Sequence, residues 1–380
     1  MTKVAILGAG EASRVPHPSR TAIDLAVEAS IDAVRDAGID FGQIDGVVTG
    51  YSLAEQHLDF SADLAESLGL EPQWSQTISR SGATGASVVV DAALAVAGGA
   101  CTTALAVWAD NRTSKPPSNI ASLLAAQLSE FETVSGPLIA TQYALIASAY
   151  MARWGATAED LASVSVQFRR HAALNVHAKH RTPITVDDVL ASPMASSPLH
   201  VLECALVTDY GGAVVVTREN LVAQDSGAVR LLGFGEALSH QSILRNPALF
   251  LSGRTAAHQS SSRAFDMAGM SPGDIEMAQI YDCFTITVLM LLEDLGFADR
   301  GRAADRMRGG YFDRDGSLPT NTNGGMLSNA AGGILHVTEA VRQMRGIAGE
   351  HQLKERPNTA LVHGNGGILG AQTTLLLGQQ

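Results

Sequence analysis

Only three cysteines, Cys101, Cys204 and Cys283, occur in the 380 residues, and no two form a C-x-x-C pair. That scarcity rules against a disulfide framework and against a zinc site. Dense runs of lysine and arginine are also missing, and the net charge is -12. Nucleic acid is therefore not an expected partner, although a local basic patch would still serve an anionic cofactor. No apolar stretch approaches the ~18 residues that span a bilayer. The opening MTKVAILGAG is a charged start followed by a short apolar strand, without the longer apolar core and cleavage site of a signal peptide. We expect a cytoplasmic protein with no membrane span and no bound metal.

What the chain has in abundance is small and apolar residues. The apolar fraction is 46% and glycine numbers 37, a composition suited to a packed α/β protein with many tight turns. The chain also repeats itself. Residues 37–49 read AGIDFGQIDGVVT and residues 268–280 read AGMSPGDIEMAQI. Ala, Gly, Gly and Ile coincide, and Asp45 faces Glu276. A second echo follows in the same order: Gly85, Asp91, Ala92 and Gly98 keep the spacing of Gly333, Glu339, Ala340 and Gly346. Two echoes in register predict two duplicated halves, 1–220 and 228–380. A site is then expected where corresponding loops of the halves face each other.

Periodicity predicts strands at 4–7, 44–49, 103–109, 199–202 and 213–217 in the first half, with helices at 21–37, 85–96, 143–153 and 158–172. The second half predicts strands at 229–234, 277–280, 359–363 and 372–377, and helices at 255–267, 284–295 and 334–345. Residues 111–140 carry Pro116, Pro117, Gly136 and Pro137 and read as an excursion over the site. It lies in an inserted region of about 111–198. Alternating strands and helices in two similar halves imply a layered α/β protein.

Two motifs are set aside. Gly8-Ala9-Gly10 begins like a dinucleotide fingerprint, but Ser13 stands where the third glycine belongs, and no acidic residue ends a second strand at the required distance. Ser81-Gly82-Ala83-Thr84-Gly85 does not fit the GxSxG nucleophile pattern and reads as a small-residue helix entry. Tyr281-Asp282-Cys283-Phe284 is more informative. It sits where a strand becomes a helix, the place from which side chains enter the cleft of an open α/β sheet. At a helix start the dipole would lower the Cys283 pKa and favour a thiolate. Cys283 is thus either a proton carrier or nucleophile, or simply a small buried hydrophobe. His363-Gly364-Asn365-Gly366-Gly367 ends another strand. His363 is either a proton mover near neutral pH or a turn histidine, and the glycines let backbone amides approach a ligand. Asn321-Thr322-Asn323-Gly324-Gly325 is either an oxyanion-binding turn or a structural one. Cys101, Cys204 and His336 are expected in the core.

Taken together these pieces resemble the thiolase superfamily, and within it the sterol-carrier-protein-2-type thiolases and their lyase relatives. The resemblance is carried by YALIASAYMARWGATAEDLASV (143–164), SPLHVLECALVTDYGGAVVV (197–216), YDCFTITVLMLLEDLGF (281–297), NTNGGMLS (321–328), EAVRQMRG (339–346) and ALVHGNGG (360–367). It implies a five-layered α-β-α-β-α fold of two βαβαβ-type halves, a homodimer, and chemistry on acyl groups carried by coenzyme A. Coenzyme A would enter as part of the substrate, with no tightly bound cofactor. The resemblance also marks departures. The family's nucleophilic cysteine corresponds to Gly82. Its G-H-P histidine loop is replaced by Asn329-Ala330-Ala331-Gly332-Gly333. Its NEAF or HDCF motif has become YDCF, so that Tyr281 replaces the amide or imidazole. His363 corresponds to the C-terminal acid/base position.

A glycine at 82 cannot carry an acyl group, which removes the ordinary thiolase mechanism. The pattern is similar to thiolase-like steroid side-chain retro-aldolases, which break a C–C bond next to a thioester without an acyl-enzyme. By that resemblance Tyr281 and Cys283 exchange protons, Asp282 orients the motif, and His363 with Asn323, Gly324, Gly366 and Gly367 stabilises an enolate. A separate OB-fold/zinc-ribbon partner is implied too. Two alternatives stay open: an acyltransferase using Cys283, and a non-catalytic acyl-CoA- or lipid-binding subunit.

Overall fold

The computed structural model describes residues 2–13, 19–113, 132, 139–223 and 226–379. Eleven strands are described: β1 Val4–Glu11, β2 Gly46–Gly50, β3 Trp74–Ile78, β4 Thr103–Asn111, β5 Met194–Ser196, β6 Leu199–His200, β7 Asp209–Arg218, β8 Val229–Leu238, β9 Met277–Ile280, β10 Thr359–Gly366 and β11 Ala371–Gln379. The helices that matter here are α1 Ala22–Ala37, α2 Phe60–Leu68, α3 Thr84–Gly98, α4 Ile139–Trp154, α5 Ala158–Ala173, α6 Ala257–Ala268, α7 Thr285–Asp294 and α8 Ile334–Arg345.

Nine strands run in the order β3-β2-β4-β7-β1-β8-β11-β10-β9. Strands from 4–218 fill one side and those from 229–379 the other. They meet at a narrow seam where only Ala5↔Arg230 and Ile6↔Val229 pair. Helices α3 and α8 are buried between the two sides. One apolar cluster joins Val88, Val89 and Val96 of α3 with Ile334, Val337 and Val341 of α8, and with Val216 and Val362 of the sheet. A second cluster packs α1 outside β4 and β7, and a third packs α4, α5, α6 and α7 on the far face. With the two sides of the sheet, continuous through the seam, counted as layers, helix, sheet, helix, sheet, helix is the five-layered stack that the thiolase resemblance implies.

The repeated strings adopt the same local structure. Gly38 and Gly269 end α1 and α6 with φ of 65° and 66°, a left-handed cap that glycine adopts without a Cβ clash. A single 3-10 turn follows each, Phe41–Gln43 and Pro272–Asp274, and then β2 or β9. Where α3 and α8 start, their backbones touch. A Cβ on Gly85 would lie 2.1 Å from the Ile334 nitrogen and 2.3 Å from the Gly333 carbonyl carbon, so only glycine permits this approach.

Several expectations shift. The strand expected at 199–202 is only Leu199–His200, paired with β5 in a separate hairpin. Helix α2 and strand β3 were not anticipated. The first four residues of β3 are exposed, so no buried alternation marks it. The glycine segment after residue 363 is strand as far as Gly366. Most of the 111–140 excursion lies outside the described residues. The segment 81–98 is long and apolar enough to cross a membrane, yet 67% of it is buried inside the protein; it contains the central helix α3.

Candidate active site

A cavity of about 320 Å³ opens at the carboxyl end of β9, lined among others by Tyr51, Gly82, Arg112, Tyr143, Tyr281, Cys283 and Asn365. Both sides of the sheet contribute. Residue 82 precedes α3, and Tyr281 and Cys283 follow β9. The Tyr281 N–H donates to the His363 carbonyl at 2.9 Å, which ties the residue after β9 to the middle of β10.

Gly82 and Tyr281 share one space. A Cβ on residue 82 would lie 2.3 Å from the Tyr281 hydroxyl oxygen, 2.4 Å from its Cζ and 2.4 Å from the Asn365 carbonyl oxygen. Real Cβ atoms do not approach so closely, so a side chain at 82 and the phenol at 281 are mutually exclusive. The phenol has taken the place that a residue-82 side chain would fill.

Burial pushes the Tyr281 pKa above the ordinary phenol value. Cys283 adds to the rise, and the Arg112 guanidinium pulls against it. Tyr143, on α4, is raised for the same first reason. Its ring stacks on Phe284 at 4.4 Å between centroids, its hydroxyl donates to the Gly367 carbonyl at 3.2 Å, and it accepts from Asn365 Nδ2 at 3.1 Å. Cys283 also lines the cavity, with its Sγ 3.4 Å from the Thr287 hydroxyl. Helix α7 starts only at Thr285, and Phe284 is its N-cap. Burial pushes the Cys283 thiol up to about 11, so the expected thiolate is corrected: at neutral pH the group is a thiol. Cys204 is likewise moved from the core to the cavity wall, where burial pushes its thiol up to about 12.

Asp282 is fully buried. Its carboxylate accepts the Met326 and Leu327 amides at 2.8 and 3.1 Å, and His336 Nε2 lies 3.4 Å away. It fixes the turn and does not reach the cavity. The 321–325 turn is part of the same anchor. Asn321 donates to the Ile280 carbonyl and accepts its N–H, at 2.8 and 2.7 Å. A Cβ on Gly325 would strike Asp282 Oδ2 at 2.2 Å. Asn323 accepts the Gly325 amide at 2.9 Å, and Gly324, at φ +98°, abuts Ala172. Neither Asn323 nor Gly324 lines the cavity, so their oxyanion role is corrected to a structural one.

His363 is corrected as well. It is completely buried and absent from the cavity lining. Its Nε2 lies 2.7 Å from Gln372 Oε1 and its Nδ1 2.9 Å from Thr374 Oγ1. The amide oxygen can only accept, so Nε2 carries the proton. Burial drives its pKa down to about 4, and the ring is neutral at physiological pH. From His363 a chain leads back to the site: Gln372 Nε2 donates to Asn365 Oδ1 at 2.8 Å, and Asn365 donates to Tyr143. Of the glycines, Gly367 lines the cavity, whereas Gly366 packs against the Arg80 carbonyl.

The reading from sequence missed Tyr51, Tyr143, Arg112 and Asn365. Tyr143 and Asn365 lie inside the quoted motifs but carry no spacing signal of their own. Arg112 stands just past β4, at the start of the 111–140 excursion.

The comparisons agree with this geometry. Residues 9–194 match the thiolase N-terminal domain and residues 235–379 the thiolase C-terminal domain-like family. The chain belongs to the thiolase superfamily. It is 32% identical to a steroid side-chain-cleaving aldolase of Thermomonospora curvata, over 90% of each chain. It is 30% identical to a 17-hydroxy-3-oxo-4-pregnene-20-carboxyl-CoA lyase of Mycobacterium tuberculosis, over 91% of this chain and 92% of that one. An acetyl-CoA acetyltransferase of Methanothermobacter thermautotrophicus is 28% identical over 97% and 98%. Among solved structures, the Ltp2-ChsH2(DUF35) aldolase superposes with a TM-score of 0.86 at 29% identity, covering 99% and 98% of the two chains.

Proposed function

We propose that this thiolase-superfamily enzyme is a lyase that breaks, or in reverse forms, the Cα–Cβ bond of a β-hydroxyacyl coenzyme A thioester without an acyl-enzyme. One observation carries the reading: the Tyr281 hydroxyl occupies the space of a residue-82 side chain, so a proton-transfer group stands where the family's nucleophile would. The relatives named for aldolase and lyase activity support it.

The steps balance with Tyr281 alone as base and acid. Its phenolate takes the β-hydroxyl proton. The electron pair of the Cα–Cβ bond passes into the thioester as an enolate, and the β carbon leaves as a ketone or aldehyde. The phenol then returns the proton to the α carbon, which yields the shortened acyl thioester. Leu206, Val207, Ile139 and Ile368 in the lining supply an apolar wall for the acyl part. A homodimer and a separate OB-fold/zinc-ribbon partner belong to the same reading, the latter supported by the similar Ltp2-ChsH2(DUF35) aldolase, whose name joins two components.

An acyltransferase using Cys283 has that thiol's place in the cavity in its favour and its raised pKa against it. Incubation with β-hydroxyacyl and acyl thioesters, with and without the partner, separates the readings. Cleavage with no mass adduct supports the lyase. An adduct lost in Cys283→Ala supports the acyltransferase. Binding without turnover, partner included, leaves a binding subunit and rejects the lyase.

A further inference from the structure

Any enolate formed in this cavity needs a partner for its oxygen, and of the groups expected to provide one only Gly367 lines the cavity, whereas His363, Asn323, Gly324 and Gly366 do not. Among the described lining residues a single side chain carries a fixed positive charge, Arg112. It is held with care. Asp110, at the end of β4, is fully buried. Its carboxylate accepts the Ser52 hydroxyl at 2.8 Å and the Leu53 and Ala54 amides at 3.2 and 3.1 Å. Asp110 Oδ2 then accepts Arg112 Nε at 2.9 Å. The guanidinium carbon sits 5.5 Å from the centre of the Tyr210 ring, whose hydroxyl has no hydrogen-bond partner among the described residues. Only Nε is committed to a described protein acceptor, which leaves the terminal fork of four N–H donors available.

We propose that Arg112 is the enolate-binding residue of this cavity, its terminal N–H groups donating to the thioester oxygen as negative charge develops there. This deepens the lyase reading and rests on it for the substrate. An arginine anchored in advance by a buried carboxylate meets the requirement for such a group: it is charged and oriented before the reaction, and nothing must reorganise when the anion forms. Burial opposes its charge, but the Asp110 carboxylate keeps the guanidinium protonated.

Acetoacetyl-CoA tests this without turnover, because its α proton can leave to solvent and the resulting enolate absorbs in the near ultraviolet. The wild-type protein should bind it near neutral pH with the enolate band present. Arg112→Gln should lower the bound enolate fraction at saturation at least tenfold, and Arg112→Lys should keep an intermediate share, with thermal melting confirming that both variants fold. A wild-type protein that binds the probe without the band, or does not bind it, overturns the proposal. So does an Arg112→Gln protein that retains the full band. Lyase assays run beside it keep the two readings apart. An arginine-dependent band in a protein that cleaves no β-hydroxyacyl thioester upholds the enolate site and rejects the lyase. Cleavage that is unaffected in Arg112→Gln does the reverse.

Discussion

Tyr281, one residue past β9, and His363, inside the neighbouring parallel strand β10, are joined by one backbone hydrogen bond, yet their surroundings are opposite. Tyr281 reaches the cavity and fills the space above Gly82. His363 is enclosed by β11, bonded to Gln372 and Thr374. The difference is one of strand parity. His363 pairs in register with Ile280, so Tyr281 lies one step further along and its side chain points the other way. Alternation sets the face, and distance along the strand also decides whether a residue enters: Asn365, two residues beyond His363 on the same face of β10, lines the cavity.

The comparison breaks most severely at the phenol. Tyr281→Phe keeps the ring and removes only the hydroxyl. It should lower kcat/KM for a β-hydroxyacyl thioester by about 10²–10⁴-fold while the melting temperature stays near wild type. Next comes the space itself. Gly82→Ala places a methyl where the Tyr281 oxygen stands, and should cost at least about 10²-fold in activity, since small misplacements are that expensive, with about 1–3 kcal/mol of stability lost to overpacking. Denaturant titration beside the kinetics checks both. Gly82→Cys, for the same reason, should gain no acyl adduct by intact mass.

pH sharpens the contrast. Tyr281 must act as phenolate and its pKa is raised, so log kcat/KM should climb with pH through the range 7–9, towards tenfold per unit. A flat profile there would remove Tyr281 as the base. For His363 the sign is reversed and the readout is stability. Its folded pKa of about 4 lies below the unfolded value of about 6.5. The unfolded chain therefore binds the proton first, and stability falls as pH drops from about 6.5 to about 4, by about 3 kcal/mol in total. In His363→Asn that portion of the acid loss should disappear from denaturation curves taken at each pH. The smallest effect belongs to Cys283. With its thiol at about 11, alkylation by iodoacetamide at pH 7.5 should be far slower than for an ordinary cysteine, and should accelerate steadily with pH.

Much of the architecture was legible because burial leaves a mark in sequence. Strand 277–280 and helix 334–345 fall at the predicted residues, and the paired echoes mark the same cap, turn and strand twice. Strand β3 was invisible because its residues face solvent. The site was legible as a location more than as a mechanism. Tyr281, Cys283, Gly82 and Gly367 do meet at the cavity. Which of the marked residues turn inward was hidden, because parity at β9 and β10 depends on pairing between distant segments. Arg112 and Asn365 gave no local signal; their importance comes from the buried carboxylate and the amide chain that hold them.

The bare backbone contact between Gly85 and Gly333 reaches beyond packing. It sets how closely the entries of two central helices can draw together, and so whether a residue just before one of them stands within touching distance of a phenol carried by the other side of the sheet. A methyl group at 85, remote from any substrate, would act as a wedge. The cavity would lose its shape through the spacing of its walls, although every side chain that lines it remained unchanged.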